Sequence, residues 1–506
     1  MNLNLIKEKT KLWLNKKENI LLLIIIVLAF LIRLKYMTIN SAVWWDEADY
    51  LSAAKRWGGL SYLNDIWYYR RTPLLPLFWA GLYKLGATEI TLRFTEVIFS
   101  TLFVFGIYLL AKEIFNNKYV GLIAASCAIF NRIHLFLTTR LMNEVPATPF
   151  LVFGLYFFWK GYIKEEKAKY MYLATFMLSI SIMTRMATSL VLVPIGVYVL
   201  SKERLNIIKN KKVWICLLMI LLTMTPFIYL HYKHIGGLTN FIKHYTITED
   251  STEIVIPSIY LGYKGISIYF MSYLQNLGII FFIIFIIAIG YYFYPLILAP
   301  DLLIKKENNE IKEKLLVALI ILVPLIYHGI FSEYLEERYL LWSYPIVYAL
   351  IAWILFKIYT PLTKYGKNIA ITLIIVIIIT NSYLVYQSTE EIINYKKDSY
   401  YEERQAAEFV KSISTKEDLI YTNPVPKIVY YSERKTLNFN SAGSAENIKE
   451  SAKKNNAKYL IFSLIEQSSP WAKEMITYPP EWLKLIKVFP SEQNPVVFVF
   501  EIQKDV

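Results

Sequence analysis

Long apolar runs, each close to the thickness of a lipid bilayer core, alternate with short polar connections over most of the chain. Hydrocarbon about 30 Å thick needs a helix of roughly 20 apolar residues. Runs of that kind lie at 19–37, 92–111, 119–137, 146–163, 169–184, 187–201, 213–231, 266–296, 315–331, 339–358 and 369–387, so the pattern predicts about eleven crossings. The run 266–296 is too long for one upright span. Its first half is expected to lie along the surface until Gly278 lets the chain dive. The stretch 73–85 is too short to cross; with Arg71 before it and Lys84 within it, it reads as an interfacial helix.

After Tyr386 the pattern changes. Residues 400–412 read as an amphipathic helix, 445–455 as a polar helix, and 418–421, 459–463 and 495–502 as strands. The chain therefore divides into a helical membrane domain, 1–387, with long connections at 38–91 and 232–265, and a small α/β domain, 388–506.

Composition agrees. Of 506 residues 56% are hydrophobic, too apolar for a soluble domain, and 40 tyrosines and 12 tryptophans suit an aromatic belt at the water interface. Cys127 and Cys216 lie inside apolar runs and read as buried thiols, which say nothing of redox compartment.

Charge sets the sidedness. The net charge is +14, but residues 388–506 hold 16 Lys+Arg against 17 Asp+Glu, so +15 falls on the first 387. The basic start (Lys7, Lys9, Lys11, Lys16, Lys17) places the N-terminus in the cytoplasm. Alternate connections then carry Lys112 and Lys118, Lys160 to Lys169, Lys202 to Lys212, Lys305 to Lys314, and Lys357 to Lys367. This pattern excludes a nucleic-acid partner and favours anionic lipid. It puts 38–91, 232–265 and the C-terminal domain on the extracytoplasmic side of a multi-pass cell-membrane protein. No cleavable signal peptide is expected, because 20–37 is too long for one and no small-residue cleavage site follows.

Chemistry is concentrated in Trp44-Trp45-Asp46-Glu47-Ala48-Asp49-Tyr50. Asp46, Asp49 and Tyr50 share one helical face, while Glu47 points elsewhere. Three acids so close cannot all ionise cheaply, so one pKa should rise unless a cation sits beside them. That would suit a general base for a hydroxyl; a solvated first helical turn explains the acids equally well. The topology brings Arg70, Arg71, Arg140, Glu144, Arg185 and Arg338, the last followed by Tyr339, to the same side. Arginine's planar fork binds phosphate and stabilises a phosphate leaving group. Singly, each arginine is better explained by snorkelling or a local pair, such as Arg140 with Glu144 at i,i+4. His231, His234 and His244 lack carboxylates at a metal-binding spacing, and His328 reads as a packing residue within a span. A divalent metal cofactor is left open, without a clear ligand set.

Several blocks resemble the GT-C clan of glycosyltransferases, in the lineage of the prokaryotic protein O-mannosyltransferases and the lipid A aminoarabinose transferase. They are 45–50, Leu92-Arg93-Phe94-Thr95, 140–146, Thr184-Arg185, and Glu337-Arg338-Tyr339-Leu340-Leu341 with Pro345. Asp418-Leu419-Ile420-Tyr421-Thr422 and Tyr430-Tyr431-Ser432 are similar to the extramembrane domain of many relatives. The resemblance implies an α-helical polytopic GT-C membrane fold with a small extracytoplasmic α/β domain. It implies inverting transfer of a sugar from a polyprenyl phosphate to a hydroxyl of a protein, lipid or glycan. Asp46 would be the base, Glu47 the second acid of its motif and Glu144 the acid of the second outer loop. Arg71 and Arg338, then Arg140 and Arg185, are the expected phosphate ligands, with Asp49, Tyr50, Tyr339 and Arg70 in support. A closed pocket under 232–265 is expected. No MIR-type domain is present, and the zinc ligands of the aminoarabinose branch have no counterpart. A lipid or sugar transporter or flippase is the alternative, but it would place ionisable groups near the midplane of repeated halves, whereas these acids cluster in connections.

Overall fold

A computed structural model describes residues 15–61, 63, 71–235, 259–298, 301, 308–332 and 335–503. The apolar runs become helices whose exposed faces are leucine and isoleucine, such as Ile24, Leu221, Ile287 and Ile379. Side chains like these are stable in contact with lipid, not water. Among the described residues seven helical segments are long and apolar enough to cross a bilayer, or up to eight if one bent pair counts as a span. Other apolar runs form shorter helices: Glu144–Phe158 (α7) has 15 residues and Ala168–Thr184 (α8) has 17.

The chain opens with α1 (Lys17–Lys35), α2 (Trp45–Trp57), α3 (Leu74–Lys84) and α4 (Glu89–Phe115). α3 is the helix expected at the interface. It buries Leu75, Trp79 and Tyr83 beside Leu51 and Ala54 of α2, and leaves Leu77 and Phe78 exposed.

The run 119–137, expected as one span, is instead two helices at 62°: α5 (Lys118–Ala128) and α6 (Arg132–Thr138). Asn131 makes the corner. Its carbonyl accepts from His134 N at 2.9 Å, capping α6, and its amide donates to the Tyr348 hydroxyl at 3.0 Å. Such a cap contributes about 1 kcal/mol.

After α7 and α8 come α9 (Leu192–Glu203), α10 (Lys211–Ile235), α11 (Ile259–Leu277) and α12 (Ile279–Leu298). The break at Gly278 falls where the sequence suggested, with φ +75°. Asn381 satisfies the opened backbone: its amide donates to Leu277 O at 2.7 Å, and its carbonyl accepts from Ile280 N and Phe281 N at 3.2 Å each. Asn381 belongs to α15 (Lys367–Lys396), which follows α13 (Asn309–Phe331) and α14 (Tyr344–Leu362).

α15 runs unbroken to Lys396 and delivers the chain to a mixed five-stranded sheet of order β2-β1-β3-β5-β4. The strands are β1 (Leu419–Thr422), β2 (Lys435–Asn438), β3 (Ala457–Ser463), β4 (Leu483–Pro490) and β5 (Pro495–Ile502). β2, β1 and β3 are parallel, whereas β5 runs antiparallel to β3 and β4. The sequence reading contains β1, β3 and β5 but not β2 and β4. Those two are the edges, where polar side chains blunt a strand's signal. Helices α16 (Tyr401–Ile413) and α17 (Val425–Ser432) cover one face; α18 (Ala445–Lys454) and α19 (Pro470–Thr477) cover the other.

The sheet domain is docked onto the bundle. Tyr431 accepts from Val43 N at 2.8 Å, Tyr430 donates to Glu89 at 2.6 Å, and Arg404 donates to Ser41 O at 2.7 Å. α2 joins the two parts as well, with Lys55 pairing with Glu433 at 3.5 Å.

Candidate active site

The start of α2 is held by Glu47. Its carboxylate accepts from Trp44 N and from Leu141 N, each at 2.7 Å, and lies 3.6 Å from Arg140. Glu47 thus joins the connection before α2 to the turn between α6 and α7. Arg140 donates to Ala42 O at 3.0 Å and to Lys396 O at 2.5 Å, and its guanidinium lies 4.4 Å from the Trp44 ring. Burial lowers its pKa to about 10. Two expected site residues therefore lie apart from the others: Glu47 spends both oxygens on backbone, and Arg140 spends its two terminal nitrogens on carbonyls. The i,i+4 pair of Arg140 with Glu144 does not form among the ion pairs observed; Arg140 pairs with Glu47.

The remaining carboxylates and arginines converge. Arg71 pairs with Asp46 and, at 3.4 Å, with Asp49, and donates to the Tyr50 hydroxyl at 3.4 Å. Arg338 meets Asp46 and Glu144 at 3.1 Å each, and also Glu336. Arg185 meets Glu144 at 2.9 Å and Asn143 Oδ1 at 2.7 Å. Glu144 has no exposed surface, and its two contacts are charge approaches off the hydrogen-bonding direction. Tyr339 lies beside both Arg185 and Arg338 and stacks on His328, whose ring contacts Ser332 at 2.8 Å.

Cations relieve the crowding of the acids. Burial alone would raise Asp46, but Arg71 and Arg338 outweigh it and hold the carboxyl at about 2. Burial opposes the charge on Arg338, yet Glu144 and Asp46 overcome it and raise its pKa. Burial pushes the Tyr50 phenol up to about 12, so it stays a neutral hydroxyl.

Asp46 and Arg338 open onto a cavity of about 430 Å³. Its walls include Trp44, Trp45 and Tyr400 at the sheet-domain end, and Ile133, Phe136 and Ile392 toward the bundle. Glu337 is held in the wall by Arg132 at 2.9 Å and Asn276 at 3.1 Å. Sequence reasoning did not assign Glu336, Asn143 or Tyr400. Glu336 stands beside a chosen arginine, a usable signal, but nothing local marks Tyr400 as facing a cavity built by α2 and α6. Arg70, His244 and most of 232–265, including any cover it forms, lie outside the described residues, as do the side chains of His231 and His234. Among the described residues no three His, Cys, Asp or Glu side chains gather as a metal-ligand set.

Residues 70–230 match the family described as dolichyl-phosphate-mannose-protein mannosyltransferase. ArnT from Cupriavidus metallidurans bound to undecaprenyl phosphate is similar in structure, with 11% identity and a TM-score of 0.67 over 94% of this chain and 97% of that one. The Archaeoglobus fulgidus oligosaccharyltransferase AglB, in complex with an inhibitory peptide and a dolichol-phosphate, matches at 11% identity and a TM-score of 0.61, covering 87% of this chain and 69% of that one. A search of curated protein sequences finds no match.

Proposed function

We propose that this chain, a multi-pass membrane protein of GT-C fold related to the mannosyltransferases over residues 70–230, transfers a sugar from a polyprenyl phosphate to an acceptor hydroxyl. The observation that carries the reading is Asp46, held between Arg71 and Arg338 at the wall of the cavity. The positive-inside pattern supports placing this end of the bundle, and the sheet domain, outside the cytoplasm.

In this mechanism Asp46 takes the proton of the acceptor hydroxyl as its oxygen attacks the anomeric carbon. The bond to the phosphate oxygen breaks on the opposite face, so the sugar inverts in one displacement. No sugar–enzyme intermediate forms, in contrast to retaining glycosidases. Charge grows on the leaving phosphate, where Arg71, Arg338 and Arg185 stabilise it. Glu144 holds Arg338 and Arg185, Asn143 holds Arg185, and Asp49 and Tyr50 hold Arg71.

A carboxylate with a pKa of about 2 is a poor proton acceptor. The donor corrects this. Its phosphate competes for Arg71 and Arg338, the two charges that depress Asp46, so donor binding raises the basicity of Asp46 before the acceptor arrives. Donor-first order follows. The test uses purified protein in nanodiscs with labelled undecaprenyl-phosphate sugars and extracted membrane acceptors. The reading expects label transfer with release of undecaprenyl phosphate and an inverted linkage by NMR. Failure of every labelled donor, or retention of configuration, contradicts it.

A further inference from the structure

The sheet domain brings a buried polar network to the cavity beside Asp46. β1 and β3 are parallel neighbours, but the helices that follow them, α17 and α19, pack on opposite faces of the sheet. Connections that part in this way open a crevice at the carboxyl ends of the two strands. Side chains of the domain itself join across it. Asn423, just past β1, donates to Ser463 O at 2.7 Å and to Ser468 at 2.9 Å. Ser463, the last residue of β3, donates to Glu403 of α16 at 2.6 Å. Glu403 pairs with Lys427 of α17 at 2.5 Å, and both are buried. Lys427 also pairs with Glu466 in the connection after β3.

From this crevice the Lys427 ammonium reaches two rings. It lies 3.5 Å from the centre of Tyr400 and 5.9 Å from that of Trp45. Both rings line the active-site cavity together with Asp46, the residue after Trp45. A cation held over an aromatic face and away from water binds it more strongly than one at the surface. Tyr400 needs such a hold. Its φ of +69° is costly for a bulky residue and persists only where the surroundings impose it. The Lys427–Glu403 pair is by itself a weak source of stability, because apolar residues of like volume often replace a buried ion pair without loss. Apolar residues would not supply the charge over the Tyr400 ring.

We infer that Lys427 is a positioning residue for the transfer: from the sheet domain it sets Tyr400 and Trp45 in the cavity wall beside Asp46. The inference rests on the transferase reading. The test compares full-length proteins in nanodiscs. Lys427→Met with Glu403→Gln removes the cation without leaving a buried carboxylate unpaired, and Glu466 keeps its contact with water at 23% exposure. Transfer kcat/KM of this doubly changed protein should fall at least tenfold, while undecaprenyl phosphate, which meets the arginines, binds within twofold of wild type. Lys427→Arg, which keeps a cation there, should recover most of the loss. Tyr400→Leu is the second variant and leaves the ion pair intact. It should lose as much, and all three changes together should lose no more than Tyr400→Leu alone. A merely structural role would instead multiply the losses. Transfer within twofold of wild type by either folded variant, or multiplied losses, would overturn the proposal. A further measurement needs no turnover. The thiol of Ile392→Cys, in the same cavity wall, should react with a maleimide at least fivefold faster when either set of changes is added, and an unchanged rate would overturn the proposal. If wild type transfers no sugar from any donor, the transferase reading fails, and the thiol rates alone decide what Lys427 holds.

Discussion

Arg338→Gln tests the arrangement of charges at its most connected point. Arg338 approaches Asp46 and Glu144 at 3.1 Å each. At that distance and an effective dielectric near 20, each pair is worth about 5 kcal/mol before desolvation is counted. Breaking a buried ion pair costs about 3–5 kcal/mol when the surviving charge is left alone. Glu144 is not left alone, because Arg185 stays at 2.9 Å, and Asp46 keeps Arg71. The expected loss of stability therefore falls below that range, roughly 2 kcal/mol, a drop of a few degrees in Tm. The catalytic loss should be larger: one fixed charge at a developing anion contributes about 100- to 1,000-fold in kcat. The pH dependence has a definite sign. Asp46 is depressed to about 2, so its ion-pair stabilisation is present above its unfolded value of about 3.9 and is lost only as pH falls through about 2. Removing one of the two cations raises the folded pKa, so the variant should lose stability at a higher pH than the wild type. Thermal unfolding in detergent between pH 3 and 7, with donor kcat and KM, measures both effects. A well-folded variant with kcat and donor KM within twofold of wild type would refute Arg338 as a phosphate ligand.

Glu47→Gln should act on stability more than on chemistry, since Glu47 accepts from two backbone amides and faces Arg140 inside the protein. A fall of about 3 kcal/mol with kcat of the folded fraction within a few-fold is expected, read by unfolding and single-turnover assays; a 1,000-fold fall in kcat at unchanged stability would return Glu47 to the chemistry. Gly278→Ala should destabilise by about 1–3 kcal/mol, because φ is +75° and the new Cβ would sit 2.7 Å from Val385 and 2.9 Å from Asn381. Unchanged thermal stability would show that the corner between α11 and α12 relaxes freely.

Much of the bundle was legible because hydrocarbon imposes length and composition on whatever crosses it. The break at Gly278 and the short helix α3 were readable from local residues alone. The bend at Asn131 was not, since it depends on Tyr348, 217 positions away in sequence, which gives the turn its second partner. At the candidate site, residue types and sidedness pointed to Asp46, Arg71, Glu144, Arg185 and Arg338, which converge. Spacing set Glu47 on a different helical face from Asp46 but could not say what it meets there. Adjacent positions on a helix point in different directions, and only the folded chain shows that Glu47 meets Leu141 and Arg140.

The central claim is that Asp46 is the base of a polyprenyl-phosphate-dependent sugar transfer. Its most direct test is the rate of labelled-sugar transfer by Asp46→Asn in nanodiscs, alongside its affinity for undecaprenyl phosphate. The account predicts a fall in transfer of about 100- to 10,000-fold with lipid phosphate still bound. Near-normal transfer by a folded Asp46→Asn protein would contradict it.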